Sequence, residues 1–144
     1  MKQIALTVLV GLLVGPCAGF AQSLTGVWID KDRNTFELAD AGTVSGKIRS
    51  LIPPTTEASY PLLDIHNPDP AKRQVPLVGL VFMRGFKPDG DQMWDGGTIY
   101  DPRSGRTYSC TLQLEGADQL KVHGYFGVSL LGRTELWTRL PDSR

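Results

Sequence analysis

His66 is the residue whose type best suits chemistry, and carboxylates stand on either side of it at Asp64 and Asp69. An imidazole oriented by a carboxylate can serve as a general base near neutral pH. The same stretch, Asp64-Ile65-His66-Asn67-Pro68-Asp69-Pro70, also has the composition of a turn-rich loop, because Asp and Asn side chains bond nearby backbone groups. The loop reading carries more weight, so no catalytic residue is assigned. His123 is far from His66 in sequence, no ligand spacing joins them to the carboxylates, and no metal is expected. Cys110 has apolar neighbours of its own parity and reads as a small, inert hydrophobe. There is no Gly-x-Ser-x-Gly elbow. Gly96-Gly97 lies among strand residues instead of before a helix, so a phosphate cradle and a bound cofactor are not expected.

The elements that must position these residues read as β-strands. Short runs with period-2 alternation recur, bounded by turn residues, and no long window keeps a 3.6-residue apolar period. Strands are expected over residues 24–30, 35–39, 43–52, 78–86, 92–100, 106–114, 119–126 and 134–140. Lys87-Pro88-Asp89-Gly90 and Asp101-Pro102-Arg103-Ser104-Gly105 carry turn chemistry, and Gly96-Gly97 suggests a bulge or corner. Alternation is clearest in the hairpin around Glu115-Gly116-Ala117-Asp118. Tyr108, Cys110, Leu112 and Leu114 share one face there, as do Leu120, Val122, Gly124 and Phe126. About eight strands with short connections form a meander, and a meander of that size tends to close into a barrel, which removes exposed edges. The expected fold class is therefore all-β: one antiparallel barrel with one long Pro-rich loop.

That loop, residues 53–76, holds six of the ten prolines. Tyr60, Leu62, Leu63 and Ile65 give it apolar contact surface, and Asp69-Pro70 could start one helical turn. Loops of this length in small domains are often functional. It reads equally well as a lid carrying Asp64, His66, Asn67 and Asp69 or as a static plug over one barrel end. Residues 127–132 form a second apolar link, expected to tuck over a barrel end. Tyr100, Asp101, Arg103, Arg106 and Tyr108 gather around one turn, either as a polar rim or as a solvated hairpin.

Lys2, the apolar run 4–14 and Gly19-Phe20-Ala21 have the pattern of a cleaved secretory signal, too short to span a bilayer. The expected organisation is a signal over 1–21 and a barrel domain over 22–144, placed in the periplasm or secreted. Pro16 directly before Cys17 is a poor context for lipidation. Without the signal Cys110 stands alone, so the core holds the fold without a disulfide. Fifteen Lys and Arg balance fifteen Asp and Glu. With no basic run, nucleic acid is not an expected partner.

Several blocks together resemble a known family. They are Gly26-Val27-Trp28; the Asp64 to Pro70 stretch; Pro76-Leu77-Val78-Gly79; Gly85-Phe86-Lys87-Pro88-Asp89-Gly90; Trp94-Asp95-Gly96-Gly97; Ile99-Tyr100-Asp101-Pro102; Gly132-Arg133-Thr134; and Trp137-Thr138-Arg139. Their order and spacing resemble an uncharacterised exported bacterial family, domain of unknown function 2147. The resemblance implies a lipocalin-like barrel in the envelope or secreted space and no established reaction. A wider resemblance to lipocalins rests on Gly26, Trp28 and Arg139. It implies that the arginine packs over the indole where the first and last strands meet. The middle Thr-Asp-Tyr turn motif of lipocalins has no counterpart, so a roomy calyx is not implied.

Three functions compete. One is a barrel that takes a small hydrophobic or amphipathic molecule, with Trp28, Phe86, Trp94, Tyr100, Tyr108 and Phe126 as interior or mouth residues. Another is a filled barrel that docks an envelope protein on its Pro-rich loop. The third is a hydrolase-type enzyme built on His66.

Overall fold

The computed structural model describes residues 22–53, 55–56, 60–128 and 132–142. The expected signal over 1–21, with Cys17, lies outside them. Eight strands follow one another: β1 (Gly26–Ile29), β2 (Thr35–Asp40), β3 (Val44–Ser50), β4 (Val81–Pro88), β5 (Met93–Asp101), β6 (Arg106–Glu115), β7 (Gln119–Tyr125) and β8 (Arg133–Arg139). Each pairs antiparallel with the next, and β8 returns to β1 to close the barrel. Strand 4 starts three residues later than expected. Gly79 takes a positive φ of 93°, and Leu80 N–H donates to Leu77 O at 3.0 Å, so residues 77–80 form a turn. The next turn moves accordingly to 89–92.

Alternation decides which side chains face inward. Phe36, Leu38, Val44, Ile48, Leu112, Leu114, Leu120 and Val122 are all buried, with Cys110 among them. Three irregularities add to this pattern. Gly46 faces Met83 while Lys47 faces Val81, so Phe82 is an extra residue on β4 and a β-bulge. The bulge lets Phe82 and Met83 both point inward despite being consecutive, and both are buried. Between Trp94 and Gly97 the β5–β6 register also slips, and Gly96 at φ 74° absorbs the slip. Gly85, at φ 80°, does the same between Met83 and Phe86.

The interior so formed is packed with large side chains where glycines make room. The Phe86 ring lies where a side chain at residue 97 would stand, so only glycine fits there. Gly46 makes the same room for Leu38 and Met83. Phe36 stacks on Trp137 with ring centroids 4.4 Å apart, and Phe82 lies 5.1 Å from Phe36. Contact of this kind contributes beyond simple area burial.

The seam between β1 and β8 is the shortest of the barrel, with two paired positions, Trp28↔Arg139 and Ile29↔Thr138. Arg139 reinforces it. Its guanidinium sits 4.3 Å from the centroid of the Trp28 ring. It donates to Thr25 O at 2.8 Å, Ser23 O at 2.7 Å and Ala117 O at 2.9 Å. Trp28 Nε1 donates to Leu24 O at 3.0 Å, and Leu24 is buried beneath the barrel. At Gly26 any side chain would press on the Arg139 guanidinium.

A closed meander sends its connections to two ends. Residues 30–34, 51–80, 102–105 and 126–132 connect strands at one, here called the loop end. Tight links at 41–43, 89–92 and 116–118, together with residues 22–25, belong to the other, the turn end. Arg139→Lys should lower stability to urea by about 2 kcal/mol, because an ammonium cannot reproduce a planar fork that stacks and donates three ways. Equilibrium unfolding followed by tryptophan fluorescence measures this, and an unchanged midpoint would show that the seam holds without the fork.

Candidate functional site

The loop end gathers the exposed apolar side chains. Ile52, Tyr60, Ile65, Val75 and Val78 on the long connection, and Phe126 and Val128 on the last, are all exposed. Outside this end, the exposed large hydrophobics among the described residues are Met93 and Leu136.

The long connection is bonded first to itself and then to the barrel. Asp64 N–H donates to Val75 O at 2.9 Å and Leu77 N–H to Leu62 O at 2.8 Å, around a bridge between Leu63 and Pro76. Asp64 is buried, yet both its carboxylate oxygens are satisfied. Tyr100 Oη donates to one at 2.6 Å and Asn67 Nδ2 to the other at 2.7 Å. A buried carboxylate needs such partners to remain charged at tolerable cost. Burial first, then the hydrogen bond to Asp64, push the Tyr100 phenol above its ordinary 10.0. Asp69 caps the single helical turn Pro70–Lys72 by accepting from Ala71 N–H at 3.0 Å, and Arg73 Nε donates to Asn67 O at 2.9 Å. The turn between β5 and β6 supports the strap from below, because Gly105 lies directly against the His66 carbonyl.

These bonds describe the loop residues chemically. The side chains of Asp64 and Asp69 are occupied by Tyr100, Asn67 and the helical turn, not by the His66 ring, which is exposed. Burial raises the Cys110 thiol to about 12, which leaves no thiolate for nucleophilic attack near neutrality. Among the described residues no cluster of three His, Cys, Asp or Glu side chains could hold a metal.

The six aromatic residues read as ligand contacts separate into three groups. Trp28, Phe86 and Trp94 are core residues, with Trp28 and Phe86 fully buried. Tyr100 holds the strap. Tyr108 and Phe126 meet at the loop end, centroids 6.3 Å apart and nearly perpendicular, with Phe126 75% exposed. Val128 is also exposed, and residues 129–131 of the link expected to tuck over the barrel lie outside the described residues.

Two polar residues on the inward face were not singled out by the sequence reading. Glu135 pairs in register with buried Val122, so it shares that face, and it accepts from Trp137 Nε1 at 3.4 Å. Arg133 approaches it at 3.6 Å. Gly124 lies in register between Cys110 and Arg133, leaving that row without a side chain at its centre. The signal was present in the sequence, since both residues share the parity of Trp137 on β8. On the outer wall, Val27, Thr35, Arg49, Leu140, Pro141 and Asp142 line a half-open cleft of ≈ 350 Å³.

A family described as "Uncharacterized protein conserved in bacteria (DUF2147)" matches residues 26–139, and the chain belongs to it. No curated protein matches the sequence. Among solved structures, the chain is similar to the Helicobacter pylori protein HP1028, described as belonging to the lipocalin family. The identity is 23% and the TM-score 0.73, over 84% of this chain and 85% of that one. The lipocalin-like barrel is thus common to both.

Tyr100→Phe tests the strap. A phenol whose folded pKa lies above its unfolded value contributes stability below pH about 10 that is lost as pH rises further. The parent protein should lose stability through that alkaline range, and Tyr100→Phe should flatten the loss while speeding amide exchange in residues 62–77. Equal alkaline slopes for the two proteins would remove Tyr100 as their source.

Proposed function

We propose that the chain is an exported binding protein that takes a small hydrophobic or amphipathic molecule at the loop end of its barrel and performs no chemistry on it. The observation that carries this reading is the Tyr108–Phe126 pair. An aromatic ring that stands largely in water beside a second ring, at the rim of an otherwise filled barrel, offers apolar contact surface without rearrangement of the core. Arg133 and Glu135 stand on the same inward face and could receive the polar end of an amphipathic molecule. Small-molecule binding also fits the lipocalin-like architecture. Export rests on the pattern of residues 1–21.

A second reading has its own support. The filled interior, with Phe86 seated against Gly97, favours an interaction module whose envelope partner docks on the Pro-rich loop.

Thermal unfolding against a panel of fatty acids and lysophospholipids separates the two. A ligand at a hundredfold excess over its Kd should add about 2.7 kcal/mol and raise Tm by several degrees. Phe126→Ser should abolish that rise and leave the unliganded Tm unchanged. A panel without effect, joined to a native mass with nothing bound, would move the assignment to the interaction module.

A further inference from the structure

The two ends of the barrel differ in charge as well as in apolar exposure. At the turn end, residues 40–43, 89–92 and 115–118 carry Asp40, Asp89, Asp91, Glu115 and Asp118, and the cations beside them are Lys87, Lys121, which pairs with Glu115 at 2.7 Å, and Arg139, which is held against Ala117 O. The loop end has the opposite balance. Eight exposed cations lie in or next to its connections, Arg49, Lys72, Arg73, Arg106 and Arg133 among them, against seven acids, Glu135 beside Arg133 included. One of those acids, Asp64, is buried. Arg49, Lys72 and Arg106 make no ion pair among the described residues. Apolar side chains that solvent does not favour, such as Ile65, Val78 and Val128, are exposed on connections of the same end.

From this we infer that the loop end docks on an anionic lipid bilayer surface, with the turn end pointing away. An anionic membrane attracts basic side chains and repels acidic ones, each basic group near the surface strengthening attachment about fivefold. Exposed Ile and Val enter the headgroup boundary, where they leave water without needing a shaped partner. The charge asymmetry fixes the orientation. Approach by the turn end would bring Asp40, Asp89, Asp91 and Asp118, none of them in an ion pair among the described residues, against a negative surface, whereas approach by the loop end brings the unpaired cations and apolar groups together. A second copy docked loop end to loop end would set cation against cation; an acidic protein face, or the turn end of another copy, is an outcome of the test below.

The test is flotation of the chain beginning at Gln22, which contains the whole closed barrel, with two kinds of vesicle. One is an equal mixture of phosphatidylglycerol and phosphatidylcholine; the other is phosphatidylcholine alone. The protein should float with the first and far less with the second. Raising salt from about 0.1 M to about 1 M, which shortens the screening length from about 10 Å to about 3 Å, should release most of it. Lys72→Gln with Arg106→Gln should weaken partition about 25-fold. Ile65→Ser with Val78→Ser should weaken it as well, while Asp91→Asn at the turn end should not. Circular dichroism confirms that each variant is folded. Absence of flotation, or equal flotation on both vesicles at either salt, would overturn the docking. So would self-association or a complex with a protein that Ile65→Ser with Val78→Ser abolishes while no vesicle binds. Ligand binding at Tyr108 and Phe126 is measured without vesicles, so it stands or fails separately.

Discussion

The barrel depends on closing one short seam. Seven of its strand contacts join neighbours in sequence, where a short turn or a long loop holds the partners together. The eighth joins β1 to β8, across almost the whole chain, through two paired positions. Arg139 compensates for that short ladder. Its guanidinium lies over Trp28 and donates to carbonyls at Ser23, Thr25 and Ala117. One side chain thereby binds the segment before β1, the last strand and the β6–β7 turn. The Trp28 indole extends the arrangement by holding Leu24 under the barrel. Stacking on the indole and donating in three directions at once are both properties of a planar cation, which explains why arginine suits this place.

Closure sets a second constraint, because a closed eight-stranded wall encloses a fixed interior that must be filled. Regular alternation alone would place Trp94 and Gly97, or Met83 and Phe86, on opposite faces. The bulges at Gly85 and Gly96 shift the parity so that all four face inward. Gly97 then yields its space to the Phe86 ring, and Gly46 yields to Leu38 and Met83. Large aromatic side chains thus alternate with absent ones, and the wall closes around solid packing. The apolar surface left to solvent lies at the rim, where Tyr108 and Phe126 meet beside the inward-facing Arg133 and Glu135.

The parts of this fold that depend on local chemistry were legible in the sequence. Strand positions followed from alternation, and Asp69-Pro70 marked its helical turn because capping is a local matter. What depends on distant neighbours was not legible. Phe82 and Met83 face the same way only because β3 and β4 slip by one residue, which a period-2 reading of either strand alone cannot reveal. Asp64 was read beside His66, its neighbour in the chain, whereas its partner across space is Tyr100, thirty-six residues away. Phe126 looked interior by parity, but β7 ends at Tyr125, so the parity rule no longer governs it. Glu135 is the reverse case: parity put it inside, while its charge argued for outside. Its position near the rim, with Trp137 and Arg133 as partners, accommodates both.

The meander also divides the work between the two ends. Its even connections are short and need Gly at positive φ, as at Gly42, Gly90 and Gly116, with acidic residues that favour tight turns. Those demands leave little freedom for recognition. The odd connections hold positive-φ residues as well, at Arg33, Gly79, Gly105 and Gly127, but they vary in length, and one of them extends over residues 51–80. Its stretch 62–77 is nevertheless held, because Asp64 ties it to β5 and Gly105 supports it from the next turn. A long loop fixed at its base presents its outer side chains in a defined arrangement, so that ordering them does not have to be repeated each time a partner arrives. The packed barrel and the strapped loop therefore belong to one arrangement: the first gives the interior to large side chains, and the second holds the loop end's exposed side chains in place.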